Sequence, residues 1–377
     1  MINQYKLECL ECGTQHDADM SKLQCESCSQ PLIVRYLNTN NHKIIPATID
    51  SYSMQMPFQK PDQKITLGEG LTPVIQLNKL AKDLCIKNID AKLEYMNPTG
   101  SYKDRGVASM ITMAKEFNIA EVVEDSSGNA GASVSAYSAA ANIKAHIFAP
   151  ETAPTAKIRQ IKVYGSTVHS IKGARDHTTA KAIEFQKQNH LVYLSHSLSP
   201  FFLEGIKSFA MEVALAYPQN LPEHIIFPVG NGGLYLGAWI GFNELKANGL
   251  IDKIPRLHAV QSSQVMPIAS AFNNITWDAK NAGATIAGGI SVAYPSRGKQ
   301  VIDALVKSNG KATTCNDNQI SKMQRILAQD EGIFLEPTSA SAFVGIKNLI
   351  SDGTIKTQDT ILVPVTGFGL KDKVSFI

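Results

Sequence analysis

The sequence contains no run of like charges, no low-complexity tract and no long apolar segment free of turn-forming residues. Its 36 lysines and arginines nearly balance 33 aspartates and glutamates, which leaves a formal net charge of +3 on 377 residues. Proteins dedicated to nucleic acid or acidic membranes carry many clustered basic residues, so we expect neither partner. An apolar content of 44% also excludes an intrinsically disordered chain. The length predicts two or three globular domains.

Membrane and secretion segments are also missing. The longest uncharged stretch of apolar character, residues 225–243, includes Pro228, Asn231 and five glycines. That composition predicts a strand, a tight turn and a helix rather than one membrane span. The opening residues lack the apolar core of a secretory signal. We therefore expect a cytoplasmic protein.

Four of the six cysteines form two pairs with the same internal spacing. They are Cys9, Cys12, Cys25 and Cys28, so each pair is a C-x2-C turn that directs two thiolates to one point. Two such turns complete a tetrahedral sulfur shell with no open position, which predicts a structural zinc ribbon in residues 1–37. Two disulfides or four unrelated thiols are the alternatives. A reducing cytoplasm disfavours the first, and the regular spacing disfavours the second.

From about residue 60 onward, short β-branched runs alternate with helical stretches. The expected strands are residues 121–123, 146–148, 167–169, 191–194, 225–229, 257–260 and 359–365. The expected helices are residues 107–117, 133–141, 156–164, 175–188 and a segment that ends near residue 245. This alternation predicts an α/β protein with parallel strands in more than one sheet. The two remaining cysteines, Cys85 and Cys315, have no companion motif and are expected in hydrophobic cores.

Four turns rich in glycine and small polar residues lie where ligands bind to open parallel sheets. They are residues 97–106 (NPTGSYKDRG), 124–132 (EDSSGNAGA), 229–234 (VGNGGL) and 365–372 (VTGFGLKD). The first contains Lys103 at an expected helix start, where the helix dipole is already positive. A lysine in that position is a candidate for the reactive amine of Schiff-base chemistry, although most lysines are solvated surface groups.

The second and third turns have compositions suited to anionic ligands. In the second, the small residues would allow the hydroxyls of Ser126 and Ser127 to approach a carboxylate, and Asn129 could donate to a phenolate oxygen. A plain serine–glycine loop that caps a helix is the alternative. The glycines of the third turn expose backbone donors at a helix start and suit one compact phosphate. That turn matches neither G-x-G-x-x-G nor a Walker loop, so a nucleotide is not expected.

Taken together, these segments resemble the fold-type II pyridoxal-phosphate enzymes, and most closely the threonine synthase family. Six motifs occur in the family's order across nearly the whole chain, and some family members also carry an N-terminal zinc ribbon. They are residues 67–73 (LGEGLTP), 97–106, 126–131, 230–233, 336–340 (EPTSA) and 366–372. The resemblance implies two three-layer domains with parallel sheets and the cofactor in the cleft. It divides the chain into the zinc ribbon (1–37), a large domain (38–92 and 195–377) and a small mobile domain (93–194).

The resemblance also assigns roles residue by residue. Lys103 corresponds to the Schiff-base lysine and proton shuttle, Asn129 to the group that bonds the cofactor's 3′-oxygen, and Thr366 to the neutral hydroxyl that faces the pyridine nitrogen. The phosphate cradle corresponds to Val229, Gly230, Asn231, Gly232 and Gly233. The substrate site corresponds to Ser126, Ser127, His196, Ser197 and Phe202. A homodimer that acts on a small amino acid is implied as well.

Residues 196–205 (HSLSPFFLEG) depart from the family's substrate-phosphate segment, Asn-Ser-x-Asn-Pro-x-Arg-Leu-Glu-Gly. Phe202 stands at the arginine position and His196 at the first asparagine, and Ala130 replaces a common threonine. A bidentate guanidinium and a hydroxyl would both be missing from a phosphate pocket. Replacement by Lys207, Arg159 or Arg297, or a simple packing role for Phe202 and His196, are the alternatives.

Three functions follow from these observations. The first is a threonine synthase-type lyase that converts O-phospho-L-homoserine and water to L-threonine and phosphate. The second is a related enzyme for β-elimination or β-replacement on serine-like, threonine-like or other substituted amino acids, which Phe202 favours. The third is a non-catalytic binding protein built on the same scaffold, which the intact lysine and phosphate turn disfavour.

Overall fold

The computed structural model of the protein describes residues 4–37, 56–126, 128–173 and 175–372. Its strands are β1 (Tyr5–Cys9), β2 (Gln15–His16), β3 (Leu32–Tyr36), β4 (Val74–Gln76), β5 (Asn88–Lys92), β6 (Glu121–Glu124), β7 (Lys144–Pro150), β8 (Thr167–Ile171), β9 (Val192–Tyr193), β10 (His224–Pro228), β11 (Arg256–Ser262), β12 (Ala312–Cys315) and β13 (Thr360–Pro364). Its helices are α1 (Asn78–Asp83), α2 (Lys103–Glu116), α3 (Asn129–Ala141), α4 (Thr155–Val163), α5 (Arg175–Gln188), α6 (Pro200–Ile206), α7 (Ser208–Ala216), α8 (Gly233–Ala247), α9 (Pro267–Phe272), α10 (Gly298–Lys307), α11 (Asp317–Asp330) and α12 (Pro337–Ser351).

The chain separates into two compact units. The first unit comprises Met1–Gly70, Asn97–Thr99 and Lys103–Ser208, and the second comprises Leu71–Met96, Gly100–Tyr102 and Phe209–Ile377. The division at residues 37, 93 and 194 that the resemblance implies stays a prediction.

The first unit begins with a small antiparallel sheet in the order β2-β1-β3. Leu7 in β1 pairs with Val34 in β3, and both side chains are buried with Leu32. So few apolar residues supply little hydrophobic stabilisation, and a segment of this size needs an additional source of folding free energy.

A parallel four-stranded sheet in the order β8-β7-β6-β9 follows in the same unit. Its central strands are continuously buried, as in Val122–Val123 and Ile147–Phe148, because helices cover parallel sheets on their faces. The neighbouring strands β6 and β9 run parallel, so their carboxyl ends lie at one edge. Glu124 ends β6, Ser126 follows it and His196 follows β9, so the topology brings these residues together.

The second unit is built on a six-stranded sheet in the order β12-β11-β10-β13-β5-β4. All neighbours are parallel except the edge strand β4, which pairs antiparallel with β5. Helix α12 packs on β10 and β11 so closely that a Cβ on Gly345 would lie 2.3 Å from Val260 Cγ2. Strands β10 and β13 are parallel neighbours, so the turn after residue 228 and the turn after residue 364 emerge at one edge.

The α/β class with parallel strands in more than one sheet is confirmed, and each expected strand and helix is present. Helix α5 has the expected ends, and the ends of the other elements differ from the expected ones by a few residues. Residues 225–243 divide among β10, a turn and α8. Within the four described ranges, no helix combines the length and apolar character needed to cross a membrane. The core position expected for Cys85 is wrong, because this residue is exposed in a left-handed turn after α1 (φ +54°), whereas Cys315 is buried.

Candidate active site and metal centre

The four paired cysteines converge in the small antiparallel sheet. Their sulfurs lie within 4.8 Å of one another, with separations of 3.4 Å for Cys9–Cys28, 3.5 Å for Cys12–Cys28 and 3.6 Å for Cys12–Cys25. Those separations are far too long for disulfides, and they approach the roughly 3.8 Å spacing of sulfurs on a tetrahedral ion with 2.3 Å bonds. The donor set therefore fits a closed tetrahedral metal.

Both cysteine turns use the same backbone geometry. Gly13 N–H donates to the Cys9 carbonyl at 2.9 Å, and Ser29 N–H donates to the Cys25 carbonyl at 2.8 Å. Each turn ends in the left-handed region, with φ +72° at Gly13 and +59° at Ser29. His16 lies 3.4 Å from Cys25 Sγ and adds a polar neighbour to the sulfur cluster.

Lys103 is the first residue of α2 and is half-buried. The turn before it is fixed by the fully buried Asp104, whose carboxylate accepts from Thr99 N–H at 2.7 Å and from the Thr99 hydroxyl at 2.6 Å. The Ser133 hydroxyl donates to the same carboxylate at 2.6 Å. Three donors on one buried carboxylate hold the helix start, and thus the Lys103 backbone, in one position.

The turn after β6 folds tightly onto the start of α3. A Cβ on Gly131 would lie 1.8 Å from the Ser126 carbonyl oxygen, so only glycine permits this path. Gly128 N–H donates to Ser126 Oγ at 3.3 Å, and Asn129 is the first residue of α3. Ser127 lies outside the described residues, so its predicted role has no structural counterpart.

His196 and Glu124 form a buried pair at the edge shared by β6 and β9. His196 Nδ1 lies 2.7 Å from Glu124 Oε1, and the His196 backbone N–H donates to Glu124 Oε2 at 3.3 Å. The two bonds fix the plane and direction of the imidazole. Ser197, also predicted for the substrate site, lies next in the chain with its hydroxyl 3.2 Å from that of Ser195.

Phe202 lies beside Lys103, with the lysine Nζ 5.4 Å from the ring centroid, a distance at which a cation is attracted to an aromatic face. The ring is fully buried and meets His196 edge-on at 6.1 Å. A Cβ on Gly106 would lie 2.4 Å from the ring, so Phe202 fills a space that exists only because residue 106 is glycine. The predicted residues Lys103, His196 and Phe202 are thus together in the first unit.

The basic residues considered as replacements for the missing arginine differ in their surroundings. Lys207 is fully buried and its Nζ pairs with Glu204 at 2.7 Å. Arg159 is exposed on α4. Arg297, in the second unit, is buried, donates to Gln300 at 2.9 Å, and has its pKa lowered to about 9 by desolvation.

In the second unit, the turn from Val229 to Gly233 connects β10 to α8. Gly232 has φ +85°, and a Cβ there would lie 2.3 Å from Val301 Cγ2. A Cβ on Gly230 would lie 2.8 Å from the Gly289 carbonyl. No side chain caps the start of α8, so its first backbone N–H groups are available to an anion. The turn is a backbone cradle shaped by glycine.

Thr366 follows β13 at the same sheet edge and is buried. Its hydroxyl lies 2.9 Å from that of Ser339, which also accepts from Gly367 N–H at 3.1 Å. Tyr102 N–H donates to the Thr366 carbonyl at 3.1 Å, and Lys103 is the next residue in the chain.

Several residues that hold these groups were not assigned from sequence. Ser339 lies in the EPTSA segment, one of the six family motifs, so the sequence did mark this segment as part of a functional site. Glu124 and Asp104 also lie within quoted segments, but nothing in the sequence marks their partners.

A family model for pyridoxal-phosphate dependent enzymes matches residues 65–367. The chain is 35% identical over 376 residues to the threonine synthase of Methanocaldococcus jannaschii, covering 97% of this chain and 92% of that protein. It is 31% identical over 384 residues to the threonine synthase of Methanosarcina acetivorans, covering 99% and 94%. Among solved structures, a fungal L-serine ammonia-lyase from Rhizomucor miehei has a similar fold, with a TM-score of 0.69 at 22% identity over 79% of this chain and 94% of that one.

Proposed function

Because the chain belongs to the pyridoxal-phosphate dependent enzyme family, we propose that it is a lyase of the threonine synthase type. The reaction converts O-phospho-L-homoserine and water to L-threonine and inorganic phosphate. The single observation that carries this proposal is the 35% identity to a threonine synthase across 97% of the chain. Structural neighbours with other names share only the fold.

The residues fit pyridoxal phosphate on two observations. The cradle of residues 230–233 presents N–H donors at a place where a Cβ on Gly230 or Gly232 would collide with neighbours, which suits a phosphate pressed against backbone. The buried Thr366 hydroxyl is held by Ser339, and either hydroxyl can be the donor. If Ser339 donates, the Thr366 proton is available to an acceptor such as a pyridine nitrogen. A neutral hydroxyl there would not force protonation of the ring.

In this proposal, bound pyridoxal phosphate supplies the electron sink for charge that develops at the substrate Cα. Lys103 would hold the cofactor through its amine and, when that amine is free, take the proton from Cα. The turn held by Asp104 and Thr99 keeps the Lys103 backbone in place for that transfer. Asn129 would donate to the cofactor's 3′-oxygen, and Ser126 with Ser127 would receive the substrate carboxylate.

The second candidate is a β-elimination or β-replacement enzyme acting on a smaller or less anionic amino acid. The fully buried Phe202 ring beside Lys103 favours it, because an aromatic wall offers no donor to a substrate phosphate. The imidazole of His196, held by Glu124, is the polar group next to that wall, and we propose that it and Ser197 contact the substrate side chain.

The deciding experiment compares substrates on the cofactor-loaded protein. Equal release of phosphate and threonine from O-phospho-L-homoserine is the expected result. Release of a keto acid from serine or threonine, without phosphate release from O-phospho-L-homoserine, would select the second candidate. Borohydride reduction followed by peptide mass analysis checks that the cofactor is attached to Lys103. No adduct and no turnover with any substrate would contradict both.

We also propose that Cys9, Cys12, Cys25 and Cys28 bind a structural zinc. Their sulfur spacing and the absence of an open coordination position support a stabilising rather than a catalytic ion. Elemental analysis of the purified protein is expected to give one zinc per chain. A chain that folds and melts identically with and without chelator would contradict the proposal. The homodimer and the cytoplasmic location stay predictions, and light scattering tests the first.

A further inference from the structure

The small antiparallel sheet β2-β1-β3 carries the cysteine cluster and is called the metal-binding sheet below. It is attached to α6 through a buried ion pair. The Tyr36 hydroxyl, at the end of β3, donates to the Glu204 carboxylate. The same carboxylate pairs with Lys207 Nζ at 2.7 Å, and that ammonium lies 5.0 Å from the centre of the Tyr36 ring. Glu204 and Lys207 are buried, so the pair depends on having its remaining hydrogen-bonding capacity satisfied. Tyr36 provides part of that.

Aromatic packing strengthens the same attachment. The Tyr5 ring of β1 lies 6.3 Å from the Tyr36 ring and 6.2 Å from the Phe201 ring, edge-on in both cases. Both strands of the metal-binding sheet that carry these tyrosines therefore contact α6. Phe201 itself is buried, so this face of α6 is covered by the sheet.

The opposite contacts of α6 are made with α2, the helix that begins at Lys103. A Cβ on Gly205 would lie 2.0 Å from the Arg105 carbonyl oxygen, and a Cβ on Gly106 would lie 2.4 Å from the Phe202 ring. Arg105 Nη1 also donates at 2.9 Å to the Oγ of Ser208, which begins α7 just after α6. Helices packed this closely transmit a displacement because no free volume absorbs it.

From these contacts we propose that the metal-binding sheet positions Phe202 against Lys103 through the Tyr36–Glu204 bond. Tyr36 is then a positioning residue for cofactor capture by Lys103. The inference rests on the proposed function and gives the sheet a role in addition to carrying the cysteine cluster. Two consecutive residues of α6 make these contacts: Phe201 packs against the sheet, and Phe202 contacts Lys103.

The test is the equilibrium binding of pyridoxal phosphate to the full-length apoprotein, followed by visible absorbance. Tyr36→Phe keeps the ring over Lys207 and removes only the hydroxyl. We expect this variant to bind pyridoxal phosphate at least about fivefold more weakly, the lower range of coupling between distinct sites. Its zinc content is expected to stay close to wild type, and its melting temperature to fall because the buried Glu204 carboxylate loses one donor.

Tyr5→Phe is the matched control, because it removes a hydroxyl from the same sheet while keeping the ring contacts. We expect its cofactor affinity to equal that of wild type. Should Tyr36→Phe fold poorly, Glu204→Gln keeps the shape of the side chain, removes its charge and is expected to weaken the cofactor in the same direction.

A double-mutant cycle tests the route. In a Phe202→Leu background, Tyr36→Phe is expected to have little further effect on cofactor affinity, because the aromatic contact that it acts through is already absent. Equal affinity in Tyr36→Phe and wild type, or fully additive effects in the cycle, would overturn the inference. Wild-type protein that takes up no pyridoxal phosphate on Lys103 would overturn the proposed function and this inference with it. Normal uptake in every variant would overturn the inference alone.

Discussion

The two units of the chain contribute different kinds of chemical group. The first unit supplies charged and ring-bearing side chains: the amine of Lys103, the His196–Glu124 pair and the cysteine cluster. At its proposed site, the second unit supplies backbone N–H groups and neutral hydroxyls, including the buried pair of Thr366 and Ser339. If the proposed function holds, the side chains of the first unit are the groups that distinguish one substrate from another, and the second unit contributes mainly to cofactor binding.

The largest effect is expected from the amine of the first unit. Lys103→Ala should reduce turnover by about a thousandfold or more, because it removes the proposed proton-transfer group. Turnover and borohydride-trapped cofactor measure this. Lys162→Ala, an exposed lysine in the last turn of α4, is the matched control and should leave both unchanged. Wild-type turnover in Lys103→Ala would refute the assigned role.

The second prediction concerns the backbone geometry of the glycine turn in the second unit. Gly232→Ala should weaken cofactor binding and destabilise the fold by about 2–4 kcal/mol, because a positive φ and a collision with Val301 combine. Gly249→Ala has a similar backbone cost (φ +69°) but nothing within 4 Å of the added Cβ. Urea titrations and cofactor titrations of the two variants separate the effect of the steric clash with Val301 from the effect of backbone strain at positive φ. Equal behaviour of both variants would show that the cradle is not tight.

Changes to the cysteine cluster test whether residues of the first unit that stabilise the fold are distinct from those that support turnover. Cys12→Ser should lower zinc content and the melting temperature, whereas turnover at saturating cofactor should fall far less than in Lys103→Ala. Cys85→Ser, at an exposed cysteine outside the cluster, should change the free energy of unfolding by no more than about 0.5 kcal/mol. Loss of turnover in Cys12→Ser with unchanged zinc and melting would contradict this separation.

The smallest expected effect concerns acid stability. In the second unit His224 Nδ1 lies 2.9 Å from His258 Nε2, and burial lowers the pKa of both imidazoles, that of His258 most. A lowered pKa keeps the folded imidazole neutral, so stability is complete above the unfolded pKa of about 6.5 and decreases as the pH falls below it. His258→Gln should therefore flatten the decline in unfolding free energy between pH 6.5 and 5.

The first unit provides the contrast for this measurement. There His169, 3.0 Å from His146, has its pKa lowered by burial and by His146, but it is less buried than His258. His169→Gln should flatten the acid decline less than His258→Gln does. A larger effect from His169→Gln would reverse the comparison.

Much of the fold could be predicted because strands, helices and turns leave local signals. The alternation of apolar runs and helices gave the class, and the placement of Lys103 at a helix start is confirmed. The strand order could not be predicted, because neighbours such as β5 and β13 are far apart in the sequence. Likewise, Glu124 and His196 are 72 positions apart in the sequence, so no local pattern predicts that they form a pair. The exposed Cys85 shows that residue type alone does not fix burial.

Strand β13 lies between β10 and β5, with Ile361 paired to Ile89. During translation, β5 leaves the ribosome long before β13, the strand with which it pairs. Ile361 follows Ile89 by 272 positions, which at typical synthesis rates correspond to roughly 14–54 s. Throughout that interval, the side of β5 that pairs with β13 has no native neighbour. The six-stranded sheet of the second unit therefore cannot be completed until β13 has been synthesised, and this interval is when chaperones are expected to protect the chain.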